Sequence, residues 1–185
     1  MQEQILTHAR KQRGFTLIEV MVATLLLLVG IVAVAQLVPA SLTSNTGNRN
    51  DSTALVLAQR ELAQMLGQPL ATTTLIPTFT DSIGNPCTLG NHGAPDTVVG
   101  SPLGSFNNRP VIDFAADRVA GYNFNYNDLQ DPSGTSYDVR WAVITTVNPA
   151  VGPNFVTSKR FILGARRRGG NGYFLPVNLD AMVAR

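Results

Sequence analysis

A long apolar run near the N-terminus constrains this chain more than any other feature of its sequence. No charged side chain occurs from Val20 to Asn48, and only a threonine, a glycine and a glutamine interrupt the apolar sequence between Val20 and Val38. About 20 apolar residues span a bilayer as a helix, and a single span must be helical because lipid offers its backbone no other partners. The run therefore predicts a membrane-spanning helix. A buried core helix is rare at this length in so small a chain, and a cleaved secretory signal has a shorter apolar region that ends in a small-residue site.

The positive charge of the chain is concentrated before this run. The chain has 14 basic and 12 acidic side chains, and the part after residue 14 is balanced, with 11 of each. The basic cluster Arg10, Lys11 and Arg13 lies just ahead of the apolar run. The positive-inside rule then predicts a cytoplasmic N-terminus, with the rest of the chain on the far side of the membrane.

The junction between the basic cluster and the apolar run has the sequence RGFTLIEV, from Arg13 to Val20. It resembles the prepilin signature of type IV pilins and type II secretion pseudopilins. The resemblance is strong from residue 8 to about residue 38 and looser up to residue 68. It implies that a prepilin peptidase cuts between Gly14 and Phe15 and N-methylates Phe15, while the apolar helix remains as an anchor.

The residue types at the junction suit this processing. Gly14 has no side chain, which lets the peptide bond enter a narrow protease site in an extended conformation. A carboxylate such as Glu19 is costly in a bilayer and calls for a partner. The resemblance implies that this partner is the methylated amine of Phe15 in a neighbouring subunit. The alternative is that Glu19 lies at the headgroup level and reaches water.

The segment after the span predicts a second helical part. Pro39 is expected to kink or interrupt the helix. The polar stretch 43–50 is either a loosened part of one long helix or a real break. A helical face of apolar residues follows, and Gly67 and Pro69 are expected to end it. This face comprises Leu55, Ala58, Leu62, Met65 and Leu66.

Residues 69–185 indicate a globular head that is rich in strands. Residues 70–110 contain much Gly, Pro, Asn, Ser and Thr and predict a long irregular region, with a short strand at 73–79. Better strands are expected at 111–114, 122–126, 137–147 and 156–165. In the clearest of them, Tyr137, Val139, Trp141, Val143 and Thr145 share one face. The order of elements predicts an α+β fold that resembles pilins, in which a long N-terminal helix packs on an antiparallel sheet. The expected segments are a leader (1–14), a span (15–38), a kinked amphipathic helix (39–68) and a head (69–185).

The head contains few candidate catalytic or metal-binding residues. Cys87 and His92 are the candidates for a thiol–imidazole pair, but no third residue orients them. One cysteine cannot form an intrachain disulfide. Asp128, Asp131 and Asp138 supply oxygen ligands for calcium, although a solvated turn explains them better. No other cofactor is predicted.

A basic cluster near the C-terminus is a candidate DNA contact, because clustered positive charge binds phosphates. Its members are Lys159, Arg166, Arg167 and Arg168. Lys159 and Arg160 are adjacent in a predicted strand and should face opposite sides. A solvated strand end is the simpler interpretation of the three arginines.

These observations predict a structural subunit rather than an enzyme, most similar to minor pilins of the PilV kind or to pseudopilin I. The resemblance implies the following partners: a prepilin peptidase that is also an N-methyltransferase, other pilin or pseudopilin subunits, an inner-membrane assembly platform and the lipid bilayer. It implies a single-pass inner-membrane protein with a periplasmic head, which then enters a surface pilus or a periplasmic pseudopilus. The alternatives are a DNA-binding minor pilin of a transformation pilus and a single-span membrane protein, an enzyme included, that joins no filament.

Overall fold

A computed structural model of the chain describes residues 14–70, 77–90, 97–127, 134–151, 155–168 and 175–184. These residues form one long helix followed by antiparallel strands, which confirms the predicted α+β architecture. The elements are α1 (Leu17–Leu66), β1 (Thr78–Thr80), β2 (Pro86–Thr88), β3 (Thr97–Gly100), β4 (Leu103–Phe106), β5 (Arg109–Ile112), β6 (Asn123–Asn127), β7 (Ser136–Val147), β8 (Val156–Arg168) and β9 (Val177–Ala184). By its internal contacts the chain divides into two units, residues 1–47 and 48–185.

The first unit contains the apolar part of α1. Every described side chain of this unit up to residue 46 is exposed. This helix is long and apolar enough to cross a membrane, as the composition predicts. Pro39 lies inside α1, so it does not end the helix. The predicted kink there stays a prediction.

The polar stretch 43–50 is helical, which decides between the two structures that its sequence left open. Its hydroxyl groups bond carbonyl oxygens of the preceding turn. Thr43 Oγ1 donates to the Ala40 carbonyl oxygen, and Thr46 Oγ1 donates to that of Leu42, each at 2.9 Å. These bonds satisfy the hydroxyl groups, which could otherwise bond the backbone in non-helical conformations.

The second unit has a core between the end of α1 and the sheet. Ala58, Leu62 and Met65 are buried there, as predicted, together with Ala54 and Leu57. The helical face is rotated from its predicted position, because Leu55 is 37% exposed while Glu61 is fully buried. The helix ends at Leu66, directly before Gly67, which confirms the predicted end.

The main sheet has five strands. Four of them follow the order β3-β7-β8-β9, and the fifth, β6, pairs with β7 at the opposite end from β3. The four better strands of the prediction correspond to β5, β6, β7 and β8, with shifted ends. The register places Trp141 opposite Leu163 and Val143 opposite Phe161. These side chains pack with those of α1 in one hydrophobic cluster.

Residues 70–110, predicted to be irregular with a short strand at 73–79, contain four short strands, β1 to β4, and β9 was not predicted. Most of the predicted strand lies outside the described residues, and β1 overlaps only its end. β9 pairs with β8, the strand directly before it in the chain, so distance does not explain why it was not predicted. β3 pairs with β7 much later in the chain, and local sequence carries no signal for such a partner. The sequence did contain a local signal for the β4–β5 hairpin, because Asn107 and Asn108 form its turn with φ of 50° and 59°. Asparagine is one of the residues that favour this left-handed turn.

The β4–β5 hairpin and the residues after it cover the second face of the sheet. Ile112 and Phe114 pack there against Ala142 and Ile162. Gly164 makes this contact possible, because a Cβ at this position would lie 2.9 Å from Ile112 Cβ and from Phe114 Cε2. β7 is consequently buried on both faces, whereas a strand of an ordinary antiparallel sheet often has one face exposed to solvent.

Candidate processing and assembly site

The predicted cleavage site lies just outside the start of α1. Gly14, Phe15 and Thr16 are not helical, and the helix begins at Leu17. The Glu19 amide donates to the Thr16 carbonyl oxygen at 3.1 Å and lies 3.3 Å from Thr16 Oγ1. Thr16 is therefore the N-cap of the helix, and it keeps the Gly14–Phe15 bond out of the helical hydrogen-bond pattern.

This cap was not among the predictions, although the sequence contains its signal. Thr16 and Glu19 have the T-x-x-E spacing of a capping box, in which threonine is the N-cap and glutamate is the third helical residue. A carboxylate in the first turn also interacts favourably with the helix dipole. Glu19 thus has a role within its own helix besides the one that the resemblance implies.

Glu19 lies on the same side of the helix as Phe15. Both line a shallow apolar depression with Val20, Ala23 and Leu27. Phe15 is 81% exposed, and no salt bridge involves Glu19 among the described residues. An exposed apolar surface with a single carboxylate on it needs both lipid or protein cover and a polar partner. The basic cluster Arg10, Lys11 and Arg13 lies outside the described residues.

A family model described as the prokaryotic N-terminal methylation motif matches residues 9–35. The match includes Gly14, Phe15 and Glu19, and it confirms the resemblance to the type IV pilin and pseudopilin family. The match supports a type IV pilin-like substrate of prepilin peptidase, and the helix that contains the end of the motif is long enough to cross a membrane. No curated protein and no solved structure matches the chain.

Asp138, one of the three candidate calcium ligands, has charged partners in the head. Asp138 is fully buried on β7, and three guanidinium groups face its carboxylate. Its Oδ2 lies 3.0 Å from Arg118 Nη2, 3.1 Å from Arg140 Nη2 and 4.0 Å from Arg166 Nη2. Three neighbouring positive charges disfavour a cation at this position. Asp138 is therefore a poor calcium ligand, and Asp128 and Asp131 lie outside the described residues.

The aromatic ring of Phe114 contributes to the same cluster. The guanidinium carbons of Arg166 and Arg140 lie 4.7 Å and 5.2 Å from its ring centre. Arg140 Nη1 also donates to the Ala116 carbonyl oxygen at 2.8 Å. The cluster thus ties β7 and β8 to the segment that follows β5.

The structure removes one residue, Lys159, from the candidate DNA contact. Lys159 is only 2% exposed, so it is not offered to a nucleic acid, and this prediction is corrected. Arg160 faces the opposite side of β8, as expected, and pairs with Asp180. Arg166 Nη2 lies 4.0 Å from Asp138 Oδ2, and Arg167 Nη2 lies 3.3 Å from Thr135 Oγ1.

Arg168 ends the basic cluster and is exposed, as predicted for a strand end. Its Nη1 lies 3.4 Å from Asn125 Oδ1, an oxygen that also accepts a hydrogen bond from Arg118 at 2.8 Å. The three arginines therefore contact residues of the head itself. Thr135 and Asn125 carry no charge, so these hydrogen bonds position the guanidinium groups without neutralising them, and exposed Arg168 keeps its positive charge at the strand end.

Cys87 is buried and free of any disulfide. Burial, together with the nearby charges of Asp81 and Glu61, raises the pKa of its thiol to about 12. A thiol that stays protonated is a poor nucleophile. His92 lies outside the described residues, so the thiol–imidazole pair remains a prediction.

Proposed function

We propose that this chain is a minor pilin or pseudopilin, which prepilin peptidase cleaves between Gly14 and Phe15 and which assembles through its N-terminal helix. The observation that carries this proposal is the methylation motif at residues 9–35, followed by an exposed helix of membrane length. The non-helical Gly14–Phe15 bond supports it, because proteases cut extended segments. The chain enters the inner membrane with a cytoplasmic N-terminus and a periplasmic head, since its basic leader precedes the span.

Glu19 has the central role in assembly in this proposal. It pairs with the methylated amine of Phe15 in the neighbouring subunit. The pairing is weak in a solvated monomer and strong in a packed filament, where a low dielectric strengthens the attraction of opposite charges. Pairing also relieves the cost of a carboxylate in an apolar environment. A subunit that docks out of register would leave both charges unpaired, so the pair selects the correct position.

Mass spectrometry of the mature N-terminus tests the processing step. We expect N-methylated Phe15 in cells that have prepilin peptidase and an intact leader in cells that lack it. Protein from sheared surface filaments and protein from membranes are compared. Processed chain in filaments supports a pilus, and processed chain in membranes alone supports a periplasmic pseudopilus or a rare priming subunit. An unprocessed chain in cells with active peptidase would overturn the proposal.

The variant Glu19→Gln tests assembly separately from processing. It keeps the shape of the side chain and removes its charge, so we expect normal cleavage and loss from filaments. Thr43→Ala is the matched control, because it removes a polar group from the same helix outside the apolar depression that Glu19 lines. The Thr43 hydroxyl donates to the Ala40 carbonyl oxygen of its own helix at 2.9 Å. Filaments that contain Glu19→Gln at the wild-type level would refute the role of this carboxylate.

The two alternatives of the sequence analysis lead to different results. DNA binding by the head requires that charge reversal at Arg166, Arg167 and Arg168 abolishes DNA retention. A membrane enzyme that merely carries the motif requires an activity that depends on Cys87 or His92. The buried, protonated thiol of Cys87 argues against the enzyme, and the burial of Lys159 removes one residue from the candidate DNA contact.

A further inference from the structure

Two buried polar residues are directly opposite each other on the face of the sheet that packs against α1. Lys159 on β8 is directly opposite Thr145 on β7, and both side chains belong to this face. Lys159 is 2% exposed and Thr145 is 1% exposed. Neither Lys159 Nζ nor Thr145 Oγ1 has a hydrogen-bond partner in the structure, for the residues that it describes. Directly opposite residues on one face have their Cβ atoms about 5 Å apart, which allows both groups to reach one atom.

A buried ammonium group without a counter-charge is costly. Burial lowers the pKa of Lys159 to about 8, so the group still carries its proton at neutral pH. The acidic side chains whose contacts the structure describes on the sheet are engaged elsewhere. Asp138 faces three arginines, and Asp180 pairs with Arg160 on the opposite face. The ammonium group therefore calls for a negative partner that is not one of these carboxylates.

The surroundings limit the size of such a partner. Gly90 has a φ of 92°, and a Cβ at this position would lie 3.1 Å from both Thr145 Oγ1 and Val143 Cγ1. Its backbone thus closes over the threonine, and only a residue without a side chain fits there. Val183 pairs with Lys159 on the other side, and Phe161 follows it on the same face of β8. An enclosed and largely apolar environment suits a monovalent ion better than phosphate or a bulky carboxylate.

We propose that Lys159 Nζ and Thr145 Oγ1 together bind one small inorganic anion of halide size, with chloride as the physiological candidate. The ion neutralises the ammonium group and accepts the hydrogen of the hydroxyl group. The bound anion stabilises the folded head, because the unfolded chain does not hold these two groups together.

Thermal unfolding of the full chain in a neutral detergent tests this proposal. Trp141 is the sole tryptophan and is fully buried, so its fluorescence reports unfolding of the head. The comparison is between sodium chloride and sodium gluconate at the same ionic strength, since gluconate is too large for the site. We expect a Tm about 3 °C higher in about 0.3 M chloride, with a steady rise as chloride increases.

Three variants identify the site of the effect. Lys159→Met should unfold at the same temperature in both salts, and Thr145→Val should lose most of the difference. Arg160→Met is the matched control, because it removes a cation from the same strand on the opposite face, and it should keep the wild-type difference. Equal Tm values for the wild type in the two salts would overturn the proposal, and so would a chloride effect that persists in Lys159→Met.

A spectroscopic measurement on a natively folded chain avoids any effect of these variants on folding. The chain has two lysines, Lys11 and Lys159, so Lys11→Arg leaves Lys159 as the sole lysine. In this variant, labelled with 13C at the lysine ε carbon, the Lys159 signal should shift with chloride and saturate, and gluconate should leave it unchanged. A signal that responds identically to both salts would show that the anion does not reach Lys159.

Discussion

Replacing Asp138 by asparagine should destabilise the head far more than the same replacement at Asp180. Both carboxylates pair with arginine, and the two positions differ in burial. The Asp138 side chain is 1% exposed and faces three guanidinium groups, whereas the Asp180 side chain is 43% exposed and pairs with Arg160. Asp180→Asn is therefore a matched control with identical chemistry.

The expected magnitudes follow from this difference. Removing one partner of a buried ion pair costs about 3–5 kcal/mol, because the remaining charge is left uncompensated. Arg140, whose side chain is 6% exposed, is the charge left most poorly solvated in Asp138→Asn. An exposed pair contributes about 1 kcal/mol or less, which sets the expectation for Asp180→Asn. The larger loss is a substantial part of the 5–15 kcal/mol by which ordinary domains are stable.

Urea unfolding of the full chain in a neutral detergent, followed by the fluorescence of Trp141, measures both losses. We expect a clearly lower midpoint for Asp138→Asn and a nearly unchanged midpoint for Asp180→Asn. The slope of the transition should stay the same in both, since neither replacement changes the surface that unfolding exposes. Equal losses at the two positions, or a loss below about 1 kcal/mol at Asp138, would refute the reasoning that burial makes this cluster important.

Three further predictions follow from burial and packing in the head. Gly164→Ala should cost about 1–3 kcal/mol of unfolding free energy, because the added Cβ would lie 2.9 Å from Ile112 Cβ and Phe114 Cε2; an unchanged urea midpoint would show that the hairpin yields freely. The thiol of Cys87, with its pKa near 12, should resist iodoacetamide at about pH 8 in the folded chain and react in urea; rapid alkylation of the folded chain would contradict its burial. Because the lowered pKa of Lys159 makes the unfolded chain bind its proton more tightly, the unfolding free energy in chloride-free buffer should rise from about pH 8 to about pH 10.5. Lys159→Met should abolish this rise and add about 3 kcal/mol near neutral pH, and a pH profile identical to that of the wild type would count against the prediction.

The parts of the molecule that the sequence predicted well depend on neighbouring residues. The end of α1 at Leu66 follows from the glycine after it, and the pairing of β7 with β8 follows from two long alternating segments. The strand β3 shows the limit of this reasoning. Its four residues gain strand structure by pairing with β7, and so short a segment does not reveal a partner that lies much later in the chain.

The charged residues of the head show the same limit more sharply. Lys159 and Arg166 were both assigned to a basic surface cluster, and the structure buries the first and ties the second to Asp138. Whether a charge is buried depends on which distant segments cover it. Asp138 gains its partners from positions 118, 140 and 166, which only the sheet register and the covering segment bring together.

The sequence by itself determined the membrane-length helix and the methylation motif that contains Gly14, Phe15 and Glu19. These are properties of a contiguous segment, because a bilayer responds to local composition and a peptidase recognises a linear motif. The tertiary structure decided which charges of the head are available to partners. Burial and ion pairing there come from contacts between residues far apart in the chain, and those contacts are fixed only when helix, hairpin and sheet pack together.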